Sequence, residues 1–301
     1  MERMALLSLS FQLVAFWWGA IFGSFLNVAI YRMPYGLSLV RPPSRCGACG
    51  TSIRWYDNIP VLSYLLLRGR CRACGTTYSA RYALIEAVTG VLTLAVWNNA
   101  VMPLSPDTFI QGSLTWIWLS FFIFSLIVIT FIDLEHTFIP DEISYPLIGF
   151  GLFGAFTLPT VDGVACIIGA VAGGGFLLLV WAVSFAIYRR EAMGLGDAKL
   201  LAAIGAFVGW QALPVVLLGA SLSGIAASGV AHAYTRITGK AALNMTTTEL
   251  DERFGESELY ADQPERLALP FGPFLALGAL YVVLFGTDAF YTLIGLLTPF
   301  N

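Results

Sequence analysis

Uncharged apolar runs alternate with short polar ones along the whole chain. Residues 114–132, LTWIWLSFFIFSLIVITFI, and 164–188, VACIIGAVAGGGFLLLVWAVSFAIY, contain no charged side chain. Each is long enough, as helix, to cross about 30 Å of hydrocarbon. Further apolar stretches lie near 5–30, 82–101, 143–158, 198–212, 213–233 and 270–297, the last read either as one long helix or as a broken one. The first is too long for a signal-peptide core and lacks a cleavage site, so it reads as a retained helix. Because only helices and closed barrels satisfy their backbone in lipid, the pattern predicts an all-α, polytopic membrane protein of about eight transmembrane helices.

Composition agrees. Hydrophobic residues make up 57% of the 301, charged residues 12%, and the mean hydropathy is +0.77, too little charge to cover a soluble surface of this size. The net charge of −3 says less than its distribution. From Arg32 to Arg81 there are eight arginines against one acid, Asp57, whereas the connections 102–112, 159–163 and 210–213 carry no Lys or Arg. With eight spans, the basic segment 31–81, Arg189-Arg190 and the polar stretch 234–268 all fall on one side, and only Arg3 disagrees. The positive-inside rule therefore predicts a cytoplasmic side for these loops and an outward side for both termini.

The first loop contains Cys46-Gly-Ala-Cys49 and Cys71-Arg-Ala-Cys74, each knuckle followed by a glycine. Four thiolates at this spacing suit a closed tetrahedral zinc site, which is structural because no coordination position remains for substrate. The expected unit is a small zinc-ribbon-like subdomain at about 31–81. Rubredoxin-like iron and redox thiols are the alternatives, and paired disulfides conflict with a reducing compartment. Cys166, inside an apolar span, reads as a packing residue.

Two acids stand at the predicted cytoplasmic membrane edge. Asp133 closes the third span and Asp197, in Gly194-Leu195-Gly196-Asp197-Ala198-Lys199, opens the sixth. An acid at this depth faces a cavity or a partner. Two carboxylates in contact share one proton, so one can draw a proton from water while the other polarises a peptide carbonyl. Gly194 and Gly196 would let a substrate backbone approach Asp197. The plainer readings are that Asp197 caps a helix, that Glu135, Asp141 and Glu142 are solvated interfacial acids, and that Lys199 anchors its helix at the headgroups. The residues do not choose between Asp133 and Asp141 as the second catalytic acid. His136 and His232 have no assigned role, and GAVAGGG at 169–175 reads as a close-packing helix face.

Six stretches in order, GSFLNVAIYRMP (23–34), the paired cysteine knuckles, RYALIE (81–86), IDLEHTFIPD (132–141), GLGDAKL (194–200) and PFGPFLALG (270–278), resemble the prepilin peptidases, or type IV leader peptidases, of the bifunctional kind that carries a tetracysteine loop. The resemblance implies an inner-membrane aspartic endopeptidase whose catalytic acids match Asp133 and Asp197. It also implies prepilin or pseudopilin substrates of type IV pili or type II secretion, cut after a glycine at the cytoplasmic face, and methylation of the new N-terminus from S-adenosylmethionine. No soluble-type G-x-G-x-x-G fingerprint marks a place for that cofactor. The division expected is 1–100 for the N-terminal helices, the cysteine subdomain and methyl transfer, and 101–301 for the peptidase. The acidic stretch within 234–268 is longer than the family pattern. A proton-coupled transporter using Asp133 and Asp197 as a relay is the competing reading, although no motif repeats between the halves as inverted repeats would require. A non-catalytic zinc scaffold is the third, and nothing in the composition points to nucleic acid.

Overall fold

The computed structural model describes residues 2–102, 107–189, 194–238 and 270–294, and it is all-helical with no strand among them. The long helices are α1 (Glu2–Arg32), α3 (Arg81–Ala100), α4 (Phe109–His136), α6 (Gly163–Tyr188) and α8 (Leu213–Thr238). Each of these five contains an apolar window long enough to cross a membrane. A short α2 (Leu62–Leu67) lies in the first loop. Three further helices are shorter: α5 (Asp141–Thr157), α7 (Leu195–Val208) and α9 (Gly272–Phe285). With 14 residues each, α7 and α9 rise only about 21 Å. The last expected span is broken: after Gly286, in the left-handed region at φ +71°, a separate α10 (Asp288–Ile294) begins. Most of the acidic stretch 234–268 lies outside the described residues.

Helix α4 is the shared wall of the molecule. One face joins α1 and α3 in a core containing Ile85, Trp97, Trp116, Ile123 and Ile132. The opposite face joins α5, α7, α8 and α9 around Phe122, Ile129, Leu200, Leu201, Phe207 and Leu275. A helix apolar all round is expected to be buried on more than one side. Phe207 of α7 stacks on Phe122 at 4.3 Å and on Trp118 at 4.4 Å. Trp116 satisfies its indole N–H on the carbonyl of Thr93 at 2.9 Å.

The stretch 169–175 behaves as a packing face. A methyl group placed on Gly169 would come within 2.4 Å of the carbonyl oxygen of Gly205, and one on Gly205 within 2.2 Å of the carbonyl oxygen of Gly169. The backbones of α6 and α7 therefore touch directly, the arrangement by which small residues bind helices together in lipid. Cys166 is buried in the same seam with Sγ 3.9 Å from the carbonyl of Phe207. The other face of α6 leaves Val164, Val171, Leu179 and Ile187 exposed, as lipid contact requires.

Candidate functional site

The first loop builds two copies of one turn. In each knuckle the cysteine N–H bonds to the threonine five residues on (Cys46 to Thr51, Cys71 to Thr76), and the glycine after the second cysteine bonds back to the first (Gly50 to Cys46, Gly75 to Cys71), at 2.8–2.9 Å. Gly50 and Gly75 sit at φ +69° and +73°, where a side chain would be strained. The ribbon expected here is reduced to two isolated bridges, Arg45 with Ser52 and Arg70 with Thr77. The four sulfurs nevertheless converge, all within 4.8 Å of one another, with Cys46 and Cys74 at 3.8 Å. Tetrahedral Zn–S bonds of about 2.3 Å place sulfurs ~3.8 Å apart, so the tetrad can hold a metal ion.

Hydroxyls support the thiolates. Thr51 Oγ1 lies 3.3 Å from Cys49 Sγ and Thr76 Oγ1 lies 3.4 Å from Cys74 Sγ. The Thr76 hydroxyl, followed by the Thr76 backbone, lowers the Cys74 thiol to about 6, and Thr51 lowers Cys49 in the same way. Deprotonated sulfur is the form that binds metal. Asp57 anchors the second knuckle by a bidentate pair with Arg72 at 2.7–2.9 Å, which holds its carboxyl below the usual range.

At the other site, Asp133 lies in the last turn of α4 and Asp197 in the first turn of α7, only 5% and 8% exposed. They belong to one end of the helix assembly, joined through Gly272 and Ile139. Asp133 Oδ2 accepts the backbone N–H of Gly272 at 3.1 Å. A methyl group on Gly272 would stand 2.5 Å from that oxygen and 3.2 Å from Ile139. Ile139, buried between α4 and α5, also fills the space beside Gly196, where a methyl group would meet it at 3.0 Å. Ile139 thus wedges α7 and α9 at a fixed spacing beside the two acids. Neither Gly272 nor Ile139 was singled out from the sequence, although both lie inside stretches that carried the resemblance.

Several plainer readings change. Asp197 does not cap α7: Gly194 is the N-cap, no side chain caps the turn, and Asp197 is the third residue of the helix. Space beside Gly194 is open, whereas Gly196 gives its space to Ile139. Glu135 and Asp141 are paired rather than merely solvated, Glu135 with Arg81 of α3 and Asp141 with Lys199 of α7. Lys199 also lies over the ring of Tyr145 at 5.4 Å, so protein groups hold its ammonium. Glu142 is exposed. His136 packs edge-on against Tyr35 at 5.7 Å.

Comparison with known proteins adds an independent line. The type IV leader peptidase family matches residues 120–229, and the bacterial peptidase A24 N-terminal domain matches residues 17–100. A prepilin leader peptidase/N-methyltransferase of Myxococcus xanthus (strain DK1622) is 36% identical, covering 92% of this chain and 90% of that protein. Proteins of the same description are 39% identical in Aeromonas hydrophila (72% of this chain, 79% of that protein) and 38% in Neisseria gonorrhoeae (70% and 78%). No solved structure matches.

Proposed function

The chain belongs to the type IV leader peptidase family, and on that premise we propose that it removes the leader from prepilins or pseudopilins with Asp133 and Asp197 and then methylates the new N-terminus. The observation that carries the peptidase assignment is the pair itself: two buried carboxylates from helices far apart in sequence, brought to one end of the assembly around Gly272 and Ile139. Such a pair holds one proton between them. The ionised member takes a proton from water as the oxygen attacks the scissile carbonyl carbon. The protonated member donates to the carbonyl oxygen, and collapse of the tetrahedral species returns a proton to the leaving amine. The Gly272 N–H fixes one oxygen of Asp133, leaving the other for water or substrate.

The remaining assignments extend this reading. The eight helices other than α2 and α10 would cross or enter the inner membrane, with the aspartates and the cysteine loop facing the cytoplasm. The cysteine tetrad would hold structural zinc. Residues 1–100 would carry methyl transfer, for which S-adenosylmethionine supplies an activated methyl group, and 101–301 the peptidase. The transporter reading is dropped, since the matched relatives are described as peptidases and methyltransferases.

The test is mass spectrometry of a co-expressed prepilin, which reports leader loss and methyl addition separately. Asp133→Asn and Asp197→Asn should each leave the leader in place, and normal cleavage by a folded Asp197→Asn protein would refute the mechanism. Orientation is checked in a background lacking the native cysteines. Asp162→Cys should react with an impermeant thiol reagent in sealed spheroplasts and Ser79→Cys should not.

A further inference from the structure

A cavity of about 300 Å³, which neither aspartate lines, lies between the C-terminal half of α1 and the loop segments on either side of the first knuckle. Its walls include Ser24, Phe25 and Arg32 of α1 and Pro42, Asn58 and Pro60 of the loop. The volume suits a nucleoside-sized ligand. Arg32 is held as a rigid fork, Nη1 donating to the carbonyl of Ser38 and Nη2 to that of Pro42, each at 2.8 Å. Two of its five N–H donors are thereby used, and the others have no acceptor among the described residues.

Behind Ser24 stands Glu86 of α3, partly buried. Its carboxylate accepts from the backbone N–H of Val61 at 2.7 Å. Val61 sits at φ +60°, ψ −50°, and the next N–H closes on the carbonyl of Pro60 at 2.6 Å. This is the rare, strained γ-turn, occupied by a β-branched side chain. Strain of this kind persists where surrounding groups over-determine it, and it clusters at ligand sites. Proteolysis as derived above uses none of these groups. All of them fall within residues 17–100, matched by a domain separate from the peptidase match.

We propose that this cavity is the methyl-transfer site, with Arg32 receiving the carboxylate of S-adenosylmethionine and Glu86 acting as a positioning residue. Glu86 fixes the Val61 turn, which closes on the carbonyl of the cavity-lining Pro60, and supplies negative potential toward a cationic sulfonium. The inference rests on the bifunctional reading above. The reaction is a displacement at carbon. The substrate ammonium first releases a proton to solvent, and the amine lone pair then forms the N–C bond. The C–S electron pair returns to sulfur, giving S-adenosylhomocysteine and a methylated ammonium. The cavity is open beside the exposed apolar side chains Ile21 and Phe25, so an N-terminus leading a lipid-embedded helix can reach it without leaving the bilayer.

The experiment is equilibrium dialysis of labelled S-adenosylmethionine and, separately, S-adenosylhomocysteine against the full-length, metal-loaded protein in nanodiscs. Prepilin cleavage and methylation are followed in parallel by mass spectrometry. Ser24→Leu, which fills the cavity, should weaken binding of both compounds at least tenfold and suppress methylation equally, with cleavage within twofold and metal content unchanged. Asn58→Leu, on the exposed rim, should do the same if Ser24→Leu fails to fold. Glu86→Gln keeps the shape and removes the charge, so it should weaken the cationic donor severalfold more than the neutral product. Wild-type donor affinity in Ser24→Leu and Asn58→Leu, from a protein that does methylate, would overturn the cavity assignment alone. Equal weakening of both compounds by Glu86→Gln would overturn its electrostatic role. A wild-type protein that neither binds the donor nor methylates would overturn the bifunctional reading itself.

Discussion

The cysteine loop and the aspartate end of the helix assembly reach order by opposite means. Around the four sulfurs nearly everything is exposed, from Trp55 at 80% to Cys49 and Cys74 themselves. Their geometry rests on short backbone turns and the Asp57–Arg72 pair. Around Asp133 and Asp197 the neighbours are buried apolar side chains and the glycines Gly196 and Gly272, which leave room only for Ile139 and the Asp133 carboxylate. A region with little buried area has little hydrophobic stabilisation, so the proposed zinc would supply what packing does not. The other region needs no ligand to hold its shape. The two should therefore fail independently and by different insults.

The largest separation is expected from Asp133→Asn or Asp197→Asn. Each should lower cleavage by about 10²–10⁴-fold or more, with metal content and the protease resistance of the loop unchanged, and a pre-cleaved pilin peptide should still be methylated. Loss of metal in either variant would join the two regions and break the contrast. Next is Cys74→Ser, which removes a thiolate that serine cannot replace at neutral pH. Elemental analysis should fall from about one zinc per chain to near none, limited proteolysis should cut between Arg45 and Arg81, and cleavage should drop only a few-fold. Chelation of the wild-type protein should reproduce that pattern.

Gly205→Val should act on the other side, because its side chain would collide with the Gly169 backbone. Overpacking of this kind costs about 1–3 kcal/mol, visible as a lower midpoint in thermal unfolding with zinc retained. The smallest effect belongs to Lys199→Gln. Its pair with Asp141, whose side chain is 55% exposed, is worth about 0.2–1 kcal/mol, so cleavage should slow by no more than about fivefold. A double variant, Lys199→Asp with Asp141→Lys, should recover part of the loss.

The sequence disclosed unequal parts of these two regions. The helices were legible as uncharged runs, and their ends fall within a few residues of the expected ones. The exceptions are the third, which extends from 114–132 to Phe109–His136, the seventh, which runs on from 213–233 to Leu213–Thr238, and the last, broken at Gly286. The cysteine knuckles were legible because their ligands are local. The contact of Asp133 with Gly272 was not, since it joins residues 139 positions apart and involves a backbone N–H that no residue type advertises. Ile139 was hidden for a related reason: an isoleucine beside a glycine signals nothing until two helices close on it. The pairing of Glu135 with Arg81 and of Asp141 with Lys199 likewise depends on which helices meet.

The shortness of α7 and α9 has a consequence for supply. Each rises about 21 Å, roughly 9 Å less than the hydrocarbon layer, and a bilayer beside such helices thins or admits its surroundings at one end. One of the two carries Asp197 and the other touches Asp133. Hydrolysis consumes one water for every bond cut, and a peptide bond just outside an apolar helix would otherwise lie where water is scarce. In the proposed arrangement, truncated helices would lower the local shoreline and bring the wet phase down to the scissile bond while the pilin helix stays anchored in lipid.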